Sequence, residues 1–371
     1  MDFSDLKLNE RLAQAIQAKG YAAPSEVQVK ALPFILEEKD VIVQARTGTG
    51  KTAAFAIPIL EKLAGQQGHT QALVLVPTRE LADQVQKEFA ALAKGQGIFC
   101  AAVYGGQSIG VQRGLLNKGQ HVVVATPGRL IDLMNRGWIK LDAIKFVVLD
   151  EADKMFDMGF RDDIEFVLAR CPKQRQTMLF SATTSDDILS MAERHLRPDR
   201  VSVNVSQDKV AVDEISQFYI SVEPKKRLSI LAALIQDKKM TKCLVFCRTR
   251  RTADWVSKQL TQRRVPARSI HGGLEQNVRQ RIIEGFRSDK IPVLVTTDLL
   301  ARGMDIQDIS HIINFDFPKE KETYVHRIGR TARFGKTGEA ITFCTNVMEI
   351  QELENIQSSF RTEIVELVET A

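Results

Sequence analysis

Short apolar runs rich in β-branched residues alternate with helix-like stretches along the first half of the chain. Four such runs, at 41–43, 72–76, 122–124 and 177–180, have the length of a buried strand. Amphipathic stretches separate them, which favours a parallel sheet covered by helices on both faces. The pattern predicts an α/β domain over residues 1–205.

The apolar pattern lapses and then starts again. Residues 206–213 form a polar stretch that we interpret as a linker, and a helix is expected from about Lys225. Further strand-like runs lie at 215–222, 243–246, 293–296 and 312–315. A second α/β domain is therefore predicted over 214–371, although no repeat of individual residues is visible.

A glycine-containing segment, Ala45–Thr52 (ARTGTGKT), follows the first strand and leads into a helix beginning near Lys51. Its glycines let backbone N–H groups turn inward around phosphates, and the helix N-terminus adds positive potential. Lys51 is expected to reach the β- and γ-phosphates, and the Thr52 hydroxyl to ligate Mg²⁺. The alternative, a glycine-rich turn before an ordinary helix, is disfavoured by the strand–loop–helix context.

Two carboxylates, Asp150 and Glu151, stand where another apolar run (146–149) ends. Ligands of open α/β sheets gather at the carboxyl ends of the strands. An acidic start of a helix is the alternative interpretation. Together with the loop at 45–52, the pair predicts a nucleoside triphosphatase in which Asp150 binds Mg²⁺ and Glu151 orients or deprotonates the attacking water.

The composition narrows the class of protein but does not indicate a function. The chain has 371 residues, 44% hydrophobic and 26% charged, which suits a globular protein with two cores. Its net charge of +5 is compatible with a polyanionic partner but does not require one. The five cysteines form no CxxC pair, so we interpret Cys243 and Cys247 as buried thiols in a reducing compartment. No signal-like N-terminus or membrane-length apolar run is present, and we expect a cytoplasmic protein.

Several further short sequence motifs are informative when they are taken together. In chain order they are Pro77–Ala82 (PTRELA), Thr126–Arg129 (TPGR), Ser181–Thr183 (SAT), Ala301–Asp305 (ARGMD) and His326–Arg333 (HRIGRTAR). With the tetrapeptide Asp150–Asp153 (DEAD), they resemble the DEAD-box family of superfamily 2 RNA helicases, from Phe3 to beyond Gly338. The resemblance implies two RecA-like domains that close over ATP and RNA.

The same resemblance implies the nucleotide-binding residues. Phe3, Ser25 and Gln28 look like the family's adenine-recognising segment, where the amide can donate to and accept from the adenine edge and the phenyl ring can stack on the base. Without the family, Gln28 would be interpreted as a solvated helix residue. The full set is Phe3, Ser25, Gln28, Thr47, Gly48, Thr49, Gly50, Lys51, Thr52, Gly303, Asp305 (near the ribose) and Arg330.

In the second domain, Arg327 and Arg330 match positions that the family directs at the γ-phosphate. A guanidinium supplied on closure can contribute on the order of 10³–10⁵ to the rate. A basic helix face with surface salt bridges is the alternative. The residues that resemble those coupling the RNA and ATP sites are Asp153, Ser181, Thr183 and His326.

The residues that resemble the family's RNA contacts are Pro77, Thr78, Arg79, Gly105, Gly106, Thr126, Arg129, Arg248, Gly272, Gln276, Arg279 and Thr297. Small residues admit a sugar–phosphate chain, while hydroxyls and arginines bind phosphates. Few aromatic residues lie among them, so weak sequence preference is expected. Glycines 105 and 106 alone would indicate only a turn.

The predicted function is an ATP-dependent RNA helicase, acting as a monomer, that couples ATP hydrolysis and closure of the two domains to local unwinding. Three alternatives stay open. An ATP-dependent RNA clamp or assembly platform would hold RNA with little unwinding. A DNA motor would be stimulated by DNA. A small-molecule phosphotransferase would leave the second domain's arginines unexplained.

Overall fold

The computed structural model describes residues 2–45, 48–63, 69–205, 215–238, 240–298, 309–331, 337–360 and 362–367. The chain divides into two compact units, Met1–Asp208 and Lys209–Ala371. The predicted linker at 206–213 lies outside the described residues, so the predicted domain limits stay a prediction.

The first unit is built on a seven-stranded parallel sheet with the order β3-β4-β2-β5-β6-β1-β7. Its strands are β1 (Val41–Gln44), β2 (Ala72–Leu75), β3 (Cys100–Val103), β4 (Val122–Ala125), β5 (Phe146–Asp150), β6 (Gln176–Ser181) and β7 (Val201–Asn204). The α-helices are α1 (Glu10–Ala18), α2 (Glu26–Leu36), α3 (Lys51–Leu63), α4 (Arg79–Leu92), α5 (Ile109–Leu116), α6 (Pro127–Asn135), α7 (Ala152–Asp157), α8 (Arg161–Leu168) and α9 (Asp186–His195), preceded by a 3₁₀ turn, Phe3–Leu6.

Helices cover both faces of this sheet because the central strands are apolar on both sides. In β2, Ala72 and Val74 belong to one buried apolar cluster, whereas Leu73 and Leu75 belong to the other. Successive side chains of a strand point to opposite faces, so a continuous apolar run feeds two cores at once. This is the three-layer α/β arrangement that the sequence predicts.

The second unit holds another seven-stranded parallel sheet, in the order β10-β11-β9-β12-β13-β8-β14. Its strands are β8 (Ile215–Ser221), β9 (Cys243–Phe246), β10 (Ala267–Ile270), β11 (Val293–Thr296), β12 (His311–Asn314), β13 (Gly338–Cys344) and β14 (Ile364–Glu366). The described helices are α10 (Arg227–Asp237), α11 (Arg250–Gln262), α12 (Gln276–Arg287), α13 (Lys321–Ile328) and α14 (Val347–Phe360). Cys243 and Cys247 are buried in one cluster, as predicted.

The two sheets have the same topology. When the strands of each are numbered from the start of their own unit, both sheets run 3-4-2-5-6-1-7. The predicted duplicated α/β architecture is therefore confirmed. Since all neighbouring strands are parallel, their carboxyl ends meet along one edge of each sheet, and corresponding loops of the two units occupy corresponding positions.

Candidate nucleotide and RNA site

The loop after β1 has the geometry of a phosphate cradle. Gly48 and Gly50 adopt φ angles of 86° and 93°, a left-handed conformation that favours glycine. Helix α3 begins at Lys51, whose buried ammonium donates to the Ala45 carbonyl at 3.0 Å and closes the loop. The predicted residues Gly48 to Thr52 therefore lie together at a helix N-terminus that carries a lysine cation, which suits an anion. Thr47 lies outside the described residues.

Gln28 connects the predicted adenine segment to this loop. Its side chain is 5% exposed, its Oε1 accepts from the Ser25 N–H at 3.0 Å, and its Nε2 donates to the Gly50 carbonyl at 3.0 Å. A Cβ atom at Gly50 would lie 2.7 Å from that nitrogen, so the contact needs glycine. A second amide hydrogen and a second lone pair remain for a base, and the adenine role stays a prediction.

Phe3 lies in the short 3₁₀ turn at the start of the chain, on the same side of the fold as Tyr21. The two rings stack with centroids 6.5 Å apart and an interplanar angle of 21°. Phe3 is partly buried and packs against the first apolar cluster. Its predicted stacking on a base is compatible with this position but is not tested by it.

Asp150 ends β5 as a buried carboxylate. Burial raises the pKa of Asp150 to about 6, while the Lys51 ammonium opposes the rise. The Oδ1 atom has no hydrogen-bond partner among the described residues. Burying a polar atom without a partner is costly, and a cation would satisfy it.

Two oxygen donors of the first unit suit a magnesium ion by their chemistry. Asp150 provides the orphaned carboxylate oxygen, and Thr52 provides a hydroxyl from the first turn of α3. Among the described residues no group of three or more His, Cys, Asp or Glu side chains could hold a metal by itself. A hard cation held by one or two protein oxygens, with phosphates and waters completing its shell, is how Mg²⁺ is usually bound beside nucleotides.

Glu151 is held in an uncommon conformation directly beyond the strand. Its φ and ψ angles are 55° and 49°, the left-handed region, which costs free energy for a residue with a side chain. Its buried carboxylate pairs with the buried Lys154 ammonium at 2.6 Å, one turn along α7. Sequence reasoning did not identify Lys154; its spacing of three residues from Glu151 on a helix was the available signal. The pair fixes the direction of the predicted catalytic carboxylate.

Asp153 links the acidic segment to the loop after β6. Its Oδ2 accepts from the Ala182 N–H at 3.2 Å, and its Oδ1 accepts from the Lys154 N–H at 3.0 Å. Ser181 is fully buried beside this contact and, in the described part of the chain, its hydroxyl has no partner. Asp153 is therefore connected through Ala182 to the segment that holds Ser181 and Thr183, and the coupling role of all three stays a prediction. His326 lies near the end of α13 in the second unit.

Arg327 is engaged within its own unit. Its guanidinium pairs with both carboxylate oxygens of Asp298 at 2.5 and 2.8 Å, and donates to Asn314 Oδ1 at 3.2 Å and to the Asp316 carbonyl at 2.7 Å. These contacts occupy four of its five N–H groups, and the residue is 2% exposed. The geometry favours a structural role that anchors α13 to the sheet, so the γ-phosphate contact predicted for Arg327 rests on the resemblance alone.

Arg330 lies two residues beyond the end of α13, after its C-cap Gly329. It is 5% exposed, and its N–H donates to the Arg327 carbonyl at 3.1 Å. Its predicted contact with the γ-phosphate stays a prediction. Gly303 and Asp305, the other nucleotide-binding residues predicted in this unit, lie outside the described residues.

The predicted RNA residues of the first unit converge at the carboxyl ends of the neighbouring strands β2, β3 and β4. The Arg79 guanidinium lies directly over the turn after β3, because a Cβ atom at Gly106 would come within 2.0 Å of it and one at Gly105 within 3.6 Å. Arg129 donates to the Gln107 carbonyl at 3.1 Å, from the helix after β4. Gly106, whose φ angle is 90°, is thus required at the close approach of Arg79, whereas a side chain at Gly105 would make only an ordinary contact.

Two helices begin at this cluster. Thr78 caps α4 by accepting from the Leu81 N–H at 3.3 Å, and Pro77 precedes it. Thr126 precedes α6, which starts with Pro127. Helix N-termini present N–H groups and positive potential, so the set suits the phosphates of a backbone.

In the second unit the predicted RNA residues take the corresponding positions. Arg248, Gly272 and Thr297 follow β9, β10 and β11, the counterparts of β2, β3 and β4. Arg279 is buried on α12. The side chain of Gln276, at the start of the same helix, lies outside the described part of the structure. Three predicted RNA residues of the second unit therefore lie at the strand ends that correspond to those of the first unit.

Comparisons with known proteins agree with this geometry. The family model for DEAD/DEAH box helicase matches residues 25–191, and that for the helicase conserved C-terminal domain matches residues 226–335. The chain is 44% identical to the DEAD-box ATP-dependent RNA helicase CshA of Geobacillus kaustophilus, over 96% of this chain and 76% of the relative. It is 40% identical to the ATP-dependent RNA helicase eIF4A of Schizosaccharomyces pombe, over 98% of this chain and 93% of the relative.

The chain belongs to the DEAD-box family of RNA helicases. Among solved structures, it is similar to S. cerevisiae Dbp5 bound to RNA and ADP BeF3, with a TM-score of 0.90 and 33% identity over 99% of this chain and 95% of that one. A DEAD-box protein from Methanococcus jannaschii matches with a TM-score of 0.57 and 38% identity over 99% of both chains. The predicted RecA-like fold and the enzyme class, an ATP-dependent RNA helicase, are thereby confirmed.

Two further residues of this DEAD-box protein repeat a pattern of the first unit and were missed by sequence reasoning. Thr249 caps α11 by accepting from the Thr252 N–H at 3.1 Å, as Thr78 caps α4. The Arg250 guanidinium lies 3.5 Å from where a Cβ atom at Gly272 would stand, as the Arg79 guanidinium lies 3.6 Å from that of Gly105. The available signal was a Thr-Arg pair after a buried strand and a Gly-Gly pair after the next one, present in both halves.

No helix in the described part of this DEAD-box protein combines the length and apolar character needed to cross a bilayer.

Proposed function

We propose that this protein couples ATP hydrolysis and closure of its two domains to RNA binding and local duplex unwinding. The observation that carries the proposal is the duplicated sheet, in which corresponding strand ends hold RNA-type residues and one unit adds Lys51 and Asp150. RNA laid along both sets would be bound by both units, while ATP would be held by the phosphate loop of the first.

ATP and Mg²⁺ are the proposed substrate and cofactor. The loop from Gly48 to Thr52 would hold the phosphates, and Asp150 with Thr52 would hold the ion through oxygen donors. When bound, the ion neutralises charge that develops on the phosphates. Gln28 would recognise adenine through its second amide hydrogen and its second oxygen lone pair, which its contacts to Ser25 and Gly50 do not use.

Glu151 would orient the attacking water and accept its proton. Its carboxylate is buried, fixed by Lys154 and placed one residue beyond Asp150, so it needs little rearrangement when the substrate is bound. Arg330 would supply a cation to the γ-phosphate from the second unit once the domains close. Positioning and electrostatics supply most of the rate enhancement in phosphoryl transfer, which fits the small number of reactive groups.

RNA would be read through its backbone with weak sequence preference. The clusters after β2–β4 and β9–β11 offer arginines, hydroxyls, glycines and helix N-termini but few aromatic rings. If RNA prefers the closed arrangement, it promotes hydrolysis, and by reciprocity ATP tightens RNA binding. Action as a monomer is part of the same proposal.

The test is steady-state ATP hydrolysis without polymer, with single-stranded RNA, and with DNA of the same sequence, all at one salt concentration. We expect strong stimulation by RNA alone, because the 2′-hydroxyl distinguishes the two polymers. Equal rates in all three reactions would contradict RNA-gated closure. A parallel assay of strand displacement, run beside product release, separates a helicase from an RNA clamp, which would hold RNA with little displacement.

A further inference from the structure

Charge is distributed unevenly over the first unit. Met1–Asp208 contains 25 Lys and Arg and 25 Asp and Glu, so the unit is formally neutral. The described loops that enter its seven strands nevertheless contain eleven Lys and Arg against five Asp and Glu, a surplus of six positive charges. These loops, which we call the amino edge, are residues 37–40, 69–71, 93–99, 117–121, 136–145, 169–175 and 196–200.

Most acidic side chains of the amino edge are neutralised locally. Asp40 pairs with Arg197 at 2.9 Å, Asp199 with Lys39 at 2.9 Å, and Glu38 with Lys62 of α3 at 2.6 Å. Further lysines are exposed there and extend the positive field outward: Lys94, Lys118, Lys140, Lys145 and Lys173. The edge therefore presents excess cationic charge over several adjacent loops rather than at one point.

A groove concentrates this charge. It encloses about 490 Å³ and is lined by five cationic side chains, Lys62, Lys145, Lys173, Arg175 and Arg197, with one carboxylate, that of Glu38. Two of these cations, Lys62 and Arg197, pair with Glu38 and Asp40 and add no net charge. Arg175 is fixed in place, because its guanidinium donates to the Pro172 carbonyl at 2.8 Å and to Thr177 Oγ1 at 3.2 Å. Phe146, the apolar residue at the groove, is 7% exposed and offers little hydrophobic anchorage.

The groove is separate from the nucleotide site. Lys145 precedes β5, whereas Asp150 ends it. At about 3.3 Å per residue, the strand places the two at opposite edges of the sheet, on the order of 15 Å apart. One nucleotide cannot occupy both places, so the groove is not part of the phosphate cradle.

We propose that the amino edge, centred on this groove, is a second RNA-binding surface that contacts phosphates beyond the nucleotides bound at the carboxyl ends of the strands. The inference rests on the proposed function, since it extends the same RNA. Cations spread over adjacent loops fit a polyanion better than a single small anion. The groove lacks the exposed aromatic or aliphatic anchor on which stable protein interfaces depend, which favours a nucleic-acid backbone over an acidic protein.

The experiment compares two lengths of unstructured oligouridine, at several salt concentrations, on the full chain in the presence of a non-hydrolysable ATP analogue. The short RNA is the shortest that fully stimulates hydrolysis; the long RNA extends it on both sides. The test variant is Lys145→Glu with Lys173→Glu, and the matched control is Lys225→Glu with Lys258→Glu, two exposed lysines of the second unit that give the same change in net charge.

We expect the test variant to bind long RNA on the order of tenfold more weakly than the unmodified protein. The slope of log affinity against log salt should become shallower by about 1.4, since each lost phosphate contact on a single strand contributes about 0.7. Binding of short RNA and hydrolysis stimulated by it should not change. The control variant should bind both lengths as the unmodified protein does, and matching thermal midpoints would show that both variants fold.

Three results would overturn the proposal. Unchanged affinity of the test variant for long RNA would show that the amino edge does not contact RNA. An equal loss of affinity for both RNA lengths would mean that the substitutions disturb the fold or the RNA site at the carboxyl ends of the strands. Tight binding of polyglutamate that the variant loses while it keeps long RNA would assign the surface to an acidic protein. Failure of short RNA to stimulate the unmodified protein would instead contradict the proposed function itself.

Discussion

The two units share one sheet topology but differ at the two positions where nucleotide chemistry is expected. After its first strand, the first unit has the glycines of the phosphate loop, Gly48 and Gly50, with left-handed backbones. After the corresponding strand β8, the second unit has Val222–Lys226, a short connection without glycine that leads into α10. Only the first of these loops can turn its N–H groups around phosphates.

The acidic residues at the ends of the equivalent central strands β5 and β12 also differ, in whether their carboxylate oxygens have hydrogen-bond partners. Asp316, just beyond β12, is satisfied: its carboxylate accepts from Arg227 at 2.8 Å and from the Arg248 N–H at 2.8 Å. Asp150, at the end of the equivalent strand β5, keeps an oxygen without a partner in the described structure. The same sheet topology thus carries an acid that stabilises a loop in the second unit, Asp316, and an acid with an oxygen available for a ligand in the first unit, Asp150.

The largest expected effect comes from removing the carboxylate that distinguishes the first unit chemically. Glu151→Gln should lower the turnover number by about 10⁴, the upper part of the range for general bases, while ATP and RNA affinities stay close to those of the unmodified protein. The amide keeps the shape of the side chain but cannot accept the proton. Steady-state hydrolysis and equilibrium binding measure the two quantities, and an unchanged turnover number would remove Glu151 from this role.

The two arginines of the second unit should separate in a second pair of variants. Arg330→Ala should lower the rate of hydrolysis by about 10³ with a smaller loss of ATP affinity. A guanidinium supplied to the γ-phosphate acts mainly by stabilising the transition state. Arg327→Ala should instead lower the free energy of unfolding by about 3 kcal/mol, since the buried Asn314 loses its donor and the half-buried Asp298 loses its bidentate partner. Rate measurements and urea unfolding distinguish these outcomes.

The opposite result for Arg327, a loss of hydrolysis without a loss of stability, would support its predicted contact with the γ-phosphate. If Arg327→Ala folds with unchanged stability and loses hydrolysis as strongly as Arg330→Ala, its contacts to Asp298 and Asn314 must give way on closure. Arg327→Lys is the matched control for charge, because it keeps the cation but loses the bidentate geometry.

The contrast between Asp150 and Asp316 should appear in stability without ligands. A folded pKa of about 6, above the ordinary value of 3.8, means that the ionised Asp150 destabilises the fold. The cost is absent below pH 3.8, grows as the pH rises through this window and is complete above pH 6, at up to about 3 kcal/mol. Asp150→Asn should therefore stabilise the ligand-free protein at pH 7.5 but not at pH 4, whereas Asp316→Asn should destabilise it by about 2 kcal/mol.

Urea unfolding at the two pH values tests this contrast. A loss of stability in Asp150→Asn at pH 7.5 would show that the carboxylate is already satisfied without a cation. If both asparagine variants change stability in the same direction, the two acids play the same part, and the difference between the units lies in the phosphate loop alone.

With the exception of the central strand β13, the strands that were missed from the sequence are those at the edges of the sheets. The predicted runs became β1, β2, β4, β5, β6, β8, β9, β11 and β12. All four edge strands, β3, β7, β10 and β14, were absent from those runs, as was β13. An edge strand is less enclosed, so polar residues interrupt its apolar pattern, as Arg268 and Ser269 do in β10. Periodicity therefore detects the centre of a buried sheet better than its edges.

The candidate site was predictable where a residue's type fixes its chemistry. Gly48 and Lys51 lie between a strand and a helix, and Asp150 ends a strand, because these local elements follow from local sequence; their roles stay a prediction. The Lys154 pair and the bidentate contact of Arg327 with Asp298 depend on side-chain directions within the folded unit, which no local pattern specifies. The internal repeat was hidden for a related reason: the units share topology and short polar pairs, not an extended sequence.

The smallest expected effect uses that repeat. Arg250→Ala should weaken RNA binding about fivefold and make the salt dependence shallower by about 0.7, as Arg79→Ala should, because each arginine contacts the glycine pair that follows the next strand along the chain. Arg251→Ala, one residue further along α11 and exposed, is the matched control and should bind RNA normally. RNA titrations at several salt concentrations measure all three variants. A loss for Arg79→Ala alone would mean that the second unit repeats the shape of the first but not its contact with phosphate.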